Sequence, residues 1–171
     1  MPTVTAAEIE RAVEQGLASE EAIVATQAED VVVRAGPRAL PKLVDGLTKR
    51  NLARRARCAD LLGRIGDRRA IAALLGALQD PHSDEPVRLS AAEALCRLGA
   101  KDGVPGLIDL LESGERRLRL DASVVLRRYT HRSCGFEHDG PAAARAAAIR
   151  EWRAWWTENR ATFKLVDPLG P

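Results

Sequence analysis

The sequence predicts an all-α fold: a right-handed α-solenoid of helical pairs, with a separate helix at its N-terminus and a capping helix at its C-terminus. Three observations carry this prediction. One pattern recurs along the chain at offsets of 31 to 33 residues. Each copy holds two apolar stripes with helical spacing. No stretch sustains the apolar–polar alternation of a half-buried strand.

The repeat emerges when the chain is aligned with itself. Laid over "VRLSAAEALCRLGAKDGVPGLIDLLES" (87–113), "RRARCADLLGRIGDRRAIAALLGALQD" (54–80) matches Arg55 to Arg88, Ala59 to Ala92, Leu62 to Leu95 and Gly66 to Gly99, at an offset of 33. Its second half matches Ile71, Leu74, Leu75 and Leu78 to Val104, Leu107, Ile108 and Leu111. "RLRLDASVVLRRYT" (117–130) starts a third copy, with Arg119, Ala122, Leu126 and Tyr129 following Arg88, Ala91, Leu95 and Leu98 at an offset of 31. Upstream, Leu40, Leu43, Val44 and Leu47 precede Ile71, Leu74, Leu75 and Leu78 by 31.

Taken in order, residues 5–18 read as the N-terminal helix, opened by Thr5 as N-cap. Residues 19–51 form the first pair, whose leading helix (19–36) is degenerate. Units follow at 52–81 and 85–115, then a last repeat helix at 116–133 and a capping helix at 141–163, all within one domain of residues 1–171. Gly66 and Gly99 stop the first helices of their units, where a left-handed residue is needed. Pro41 and Pro105 fall in the first turns of second helices, where a missing N–H costs nothing. Ala59, Ala92 and Ala122 let neighbouring helices approach closely. Two helices per 31 to 33 residues define an α-solenoid.

The unit "VRLSAAEALCRLGAKDGVPGLIDLL" resembles HEAT repeats, specifically the short bacterial kind related to phycobilisome-lyase HEAT-like repeats. The shared signature is an Arg, then Ala-Ala, Leu and Gly through the first helix, then an apolar pair in the second. The resemblance covers roughly residues 20–130. It implies the α-solenoid fold, which serves many roles; the concave surface that such folds use for partners makes a non-enzymatic protein-interaction scaffold the leading expectation. It also implies that the arginine of each first helix pairs with an acid of the adjacent repeat, for which Asp45, Asp80, Asp109 and Asp121 are available. The tail resembles the C-terminal cap of bacterial HEAT-repeat proteins, with Thr130, Gly135, Phe136, Glu137, Ile149, Trp152, Arg153, Trp155 and Trp156 in the pattern.

Composition suits a folded chain: 46% hydrophobic, 29% charged and only 4% aromatic. The net charge of +2 is too small to demand a polyanionic partner. It is unevenly spread, since residues 1–36 hold seven acids and two bases. Three cysteines, Cys58, Cys96 and Cys134, make no paired framework and point to a reducing, cytoplasmic compartment. The N-terminus lacks the apolar run of a secretory signal, and no segment is long and apolar enough for a membrane span.

Nearly all the large aromatic surface sits in "REWRAWWTEN" (150–159). Trp152, Trp155 and Trp156 share one helical face with Ala148, and Phe163 follows the same spacing. A solenoid must cover the apolar side of its last repeat. The indoles are therefore expected to form a structural cap over Leu118, Ala122, Val125 and Leu126, with Phe136 and Tyr129. A protein-binding hot spot is the main competing reading, with a ligand-stacking box behind it.

The expected partner-binding residues lie on the second helices: Lys42, Asp45, Lys49, Asp109 and Glu112. An alternative is a nucleic-acid surface made by Arg54, Arg57, Arg64, Arg68, Arg116 and Arg117, but no aromatic is interleaved to stack bases. A second alternative, an accessory subunit of a lyase or maturation system, rests on the repeat type alone. His131, Cys134, Glu137, His138 and Asp139 share one loop, but their spacing matches no standard metal site. No repeated His-Glu pairs, phosphate loop or nucleophile–base pair is present, so neither a metal nor a cofactor is expected, and the chain reads as a monomeric non-enzyme.

Overall fold

The computed structural model describes residues 3–166. The described chain is all helix and turn, with no strand. Helix α1 (Ala6–Arg11) runs into a π turn over Ala12–Gly16. Eight further helices follow: α2 (Ala22–Ala35), α3 (Leu40–Gly46), α4 (Leu52–Ile65), α5 (Ile71–Gln79), α6 (Glu85–Arg97), α7 (Gly103–Leu110), α8 (Arg116–Thr130) and α9 (Ala142–Asn159).

Local sequence explains where these helices start and stop. Thr5 caps α1 with a capping box: its hydroxyl accepts from the Glu8 N–H while the Glu8 carboxylate takes the Thr5 N–H. Asn51 caps α4 by accepting from the Arg54 N–H at 2.8 Å. Gly66 ends α4 at φ 78°, and Gly99 follows α6 at φ 74°. Both are left-handed positions that glycine takes at little cost.

The helices stack in two layers. First helices α2, α4, α6 and α8 lie side by side in one layer, and each second helix packs on the first helix that follows it. Residues from both layers form one apolar cluster running from Val4 and Ile9 to Trp152 and Trp156. Close approach between α4 and α6 needs glycine at 63, since a Cβ there would lie 2.8 Å from Ala94.

A ladder of charge ties the first-helix layer together. Arg64 of α4 reaches Glu29 of α2 at 3.1 Å, Arg97 of α6 reaches Asp60 of α4 at 3.1 Å, and Arg128 of α8 reaches Glu93 of α6 at 2.7 Å. Arg64 also pairs with Asp60 at 3.6 Å, and Arg97 with Glu93 at 3.1 Å, so the charges alternate without a break from Glu29 to Arg128. This corrects the expected pairing. Of Asp45, Asp80, Asp109 and Asp121, only Asp80 takes a repeat arginine, Arg55 at 3.2 Å within its own unit. The acids that bind across repeats sit on the first helices themselves, one turn before the arginines. The ladder ends in exposed valines at both extremes: Val33 stands at the α2 position equivalent to the arginines, and Val124 at the α8 position equivalent to the acids.

Candidate interaction surface

The second-helix layer presents α3, α5, α7 and α9, with α1 at its N-terminal end. The charged residues expected to bind partners fall into two groups here. Lys42 of α3 binds Glu10 of α1 and lies 3.9 Å from Glu14, while Lys49, in the turn after α3, pairs with Asp45 at 2.8 Å. The Lys49 ammonium holds the Asp45 carboxyl below its usual range, and the hydrogen bond to Glu10 pushes Lys42 up. Asp109 of α7 and Glu112, in the turn just past it, both bind Arg153 of α9, at 3.1 and 3.0 Å. Lys42, Asp109 and Glu112 therefore tie neighbouring helices together in the free chain, whereas Asp45 and Lys49 pair with each other four residues apart.

Between these groups lies α5, "IAALLGALQ", which carries no charge at all. Ala72, Gly76 and Gln79 are exposed along it, and Ala73 and Leu75 are half-buried. A groove of about 320 Å³ separates α5 from α3, lined by Val44, Thr48, Gly76 and Arg55 among others. A second groove of about 450 Å³ separates α5 from α7, lined by Gln79, Asp80, Arg88, Pro105 and Asp109 among others. An uncharged ridge with a groove on each side is the feature that sequence reading missed. Its signal was available: α5 is the one long second helix of the repeats without a charged residue.

Each groove contains a repeat arginine, but the two differ. Arg55 donates to the Leu47 carbonyl at 2.9 Å and to Asp80 and Ser83 at 3.2 and 2.7 Å. Arg119, at the same repeat position on α8, is buried and donates to the carbonyls of Ser113, Gly114 and His138. Both arginines stitch the preceding second helix to the loop of their own unit. For Arg88, half-buried in the groove beside α7, no such partner is found among the described residues.

The six arginines of the nucleic-acid alternative do not line up on one strip. Arg54 and Arg57 point back to the N-terminal helix, donating to the carbonyls of Glu14, Leu17 and Ser19. Arg64 belongs to the ladder. Arg116 pairs with Asp139 at 3.1 Å and Arg117 with Asp121 at 2.9 Å, on a helix two units away. Arg68 is exposed in the turn before α5.

At the C-terminal end, Trp152 and Trp156 are buried and Trp155 is half-buried. Trp155 stacks edge-on against Trp152 at 5.6 Å and Phe163 at 5.1 Å, with the Arg132 guanidinium 5.0 Å above its ring. The indoles join one cluster with Ala122, Val125, Leu126, Tyr129 and Phe136, while Leu118 is buried outside it. α9 approaches α7 more closely than α8. It thus occupies the place of a second helix beside α7, clamped by Arg153, rather than lying across α8.

The loop 131–140 is built on backbone turns. His131 and Cys134 take left-handed conformations at φ 55° and 45°, and Gly135 at 64°. Asp139 is drawn to Arg116, which holds its carboxyl below the usual range. Among the described residues, no group of three or more His, Cys, Asp or Glu is placed to hold a metal ion. Burial pushes the Cys58 and Cys96 thiols up to about 12, and that of Cys134 upward as well. Among the described residues, no helix is long and apolar enough to cross a membrane.

Paired helices, a repeated glycine stop and a two-layer stack define a helical-repeat solenoid. Residues 40–127, just over half of the chain, match the family of HEAT repeats, and the chain belongs to that family. The fold is similar to that of the complex of CpcE and CpcF of phycocyanin lyase from Nostoc sp. PCC7120, with a TM-score of 0.59 and 20% identity over 87% of this chain and 99% of that one. It is also similar to human deoxyhypusine hydroxylase, solved with glycerol, with a TM-score of 0.52 and 24% identity over 77% of this chain. There the match spans 46% of the hydroxylase chain. At these identities the likeness is one of fold. No curated protein sequence matches the chain.

Proposed function

We propose that this protein is a non-enzymatic HEAT-repeat scaffold, and that the partner lies across its second-helix face, over α5 and the two grooves beside it. The observation that carries this reading is the uncharged α5 ridge, flanked by Arg88, whose guanidinium has no partner among the described residues. Such a ridge suits an apolar segment of a protein, and Arg88 suits a carboxylate or carbonyl at its edge. Lys42, Asp45, Lys49, Asp109 and Glu112 then form the polar rim, able to exchange an internal partner for an external one. The raised thiol pKa values fit a scaffold, because a thiol held protonated is a poor nucleophile. Free cysteines also suit a reducing compartment such as the cytoplasm. A role as accessory subunit of a maturation system rests on likeness of fold alone and is the weaker reading. Nucleic-acid binding is disfavoured, because five of its six arginines are engaged within the chain.

Gly76→Arg is the variant that tests the reading. Nothing lies within 4 Å of a Cβ built at Gly76, and arginine is the better helix former, so the fold is preserved. Affinity capture with quantitative mass spectrometry should recover a partner with the wild type and with Arg68→Glu, and lose it with Gly76→Arg. Equal recovery by all three would refute this site.

A further inference from the structure

The first-helix slot ahead of α2 is empty among the described residues. α1 runs in the second-helix layer: it packs on α2 and meets α3 through Glu10 on Lys42, and the Val4 carbonyl just before α1 accepts from Arg38 in the turn before α3. Every later first helix has another before it, α2 before α4, α4 before α6 and α6 before α8. The positions that make this contact are closed in those helices. Gln27 corresponds to Cys58, Ala91 and Ala122, all fully buried, and Ile23 corresponds to Arg54, half-buried, and to Val87 and Leu118, both buried. On α2 the same positions are open: Gln27 is exposed and Ile23 is 73% exposed, and Val24 next to it is 37% exposed. A groove of about 530 Å³ runs between α1 and α2, floored by Ala12, Ala28, Val24 and Val31. Glu8 and Glu21 line it against one base, Arg11, and the surrounding residues 1–36 hold seven acids to two bases.

We propose that this groove is a docking site for an amphipathic helix of a partner protein, one whose apolar stripe is flanked by lysine or arginine. A helix is the shape that fills every equivalent slot in this chain. An apolar stripe matches Val24 and Val31 in the groove and the exposed Ile23 next to Val24, and basic flanks match the acidic rim. The site is distinct from the α5 face.

The chain itself supplies a probe. α8 is a first helix with Leu120 and Val124 one turn apart, between Arg116 and Arg117 at one end and Arg127 and Arg128 at the other. A fluorescent synthetic peptide copying residues 115–131 therefore has the required chemistry. Titrating the full chain into this peptide should raise its anisotropy saturably. Raising the salt to about 0.5 M should weaken binding, because exposed charges are then screened. Ile23→Arg with Val24→Arg should weaken binding by about tenfold or more, having removed the apolar contact and reversed the charge. Both side chains are exposed, so the variant folds, and circular dichroism confirms it. Gly76→Arg should bind the peptide as the wild type does, which separates this site from the α5 face. A peptide with its arginines replaced by glutamate should not bind. No saturable binding up to about 1 mM peptide, or binding indifferent to the Ile23 and Val24 substitutions, would overturn the proposal.

Discussion

The two ends of the solenoid face the same physical problem and meet it differently. At the C-terminal end, aromatic bulk closes the stack. Trp152 and Trp156 are buried, Trp155 and Phe163 pack over them, and Arg153 clamps α9 to α7. At the N-terminal end, closure depends on close backbone approach. The π turn brings Gly16 against Ala28, and the Leu17 N–H reaches the Ala12 carbonyl at 2.8 Å. Large side chains bury more area and tolerate small shifts; glycine contacts bury little and tolerate none. Among the described residues, α9 thus covers the second-helix layer at the C-terminal end, whereas the N-terminal end leaves Ile23, Val24 and Val33 exposed.

The largest test of this contrast is Trp152→Ala. Removing a fully buried indole costs about 3–5 kcal/mol, a large share of the ~5–15 kcal/mol that holds a domain. Chemical denaturation should show a sharply lowered midpoint or an insoluble protein. A variant as stable as the wild type would mean that the tryptophans do not close the stack. Gly16→Val probes the other end by overpacking, with an expected loss of about 1–3 kcal/mol. Its damage should be local, so that α1 and α2 loosen while α6 to α9 keep their protection from hydrogen exchange.

Smaller effects sharpen the comparison. Arg153 is about half exposed, so Arg153→Ala should cost only about 0.2–1 kcal/mol, less at high salt. The thiols report on packing in the same way. At pH 8, Cys134 near the C-terminal end should react with a thiol reagent well before Cys58 and Cys96, which are buried in the body. Their folded pKa values, about 12, stand above the ordinary 9.0. The folded state therefore holds protons that the unfolded state releases in that range. This contribution is complete below pH 9 and is lost between about pH 9 and 12, where the denaturation midpoint should fall.

The middle of the molecule was legible in the sequence. Ala59 and Ala92, Leu62 and Leu95, and Gly66 and Gly99 repeat because each pair solves one packing problem in the same way. The stripe of Trp152 and Trp156 was legible for a related reason, since helical spacing fixes which side chains share a face. The ladder was not. Its acids, Glu29, Asp60 and Glu93, differ in type and carry no periodic apolar signal; only the stacking of first helices brings them to Arg64, Arg97 and Arg128. The seat of α9 beside α7 depends on left-handed turns at His131 and Cys134, residues that seldom take them. The α5 ridge was hidden for a different reason: attention to charged residues passes over a helix that has none.

The central claim, that partners engage the second-helix face over α5, is tested most directly by hydrogen exchange on the chain with and without a captured partner. The account predicts added protection in α5 and the facing parts of α3 and α7, with the outer faces of α4 and α6 unchanged. Protection concentrated on the first helices, with α5 exchanging as in the free chain, would contradict it.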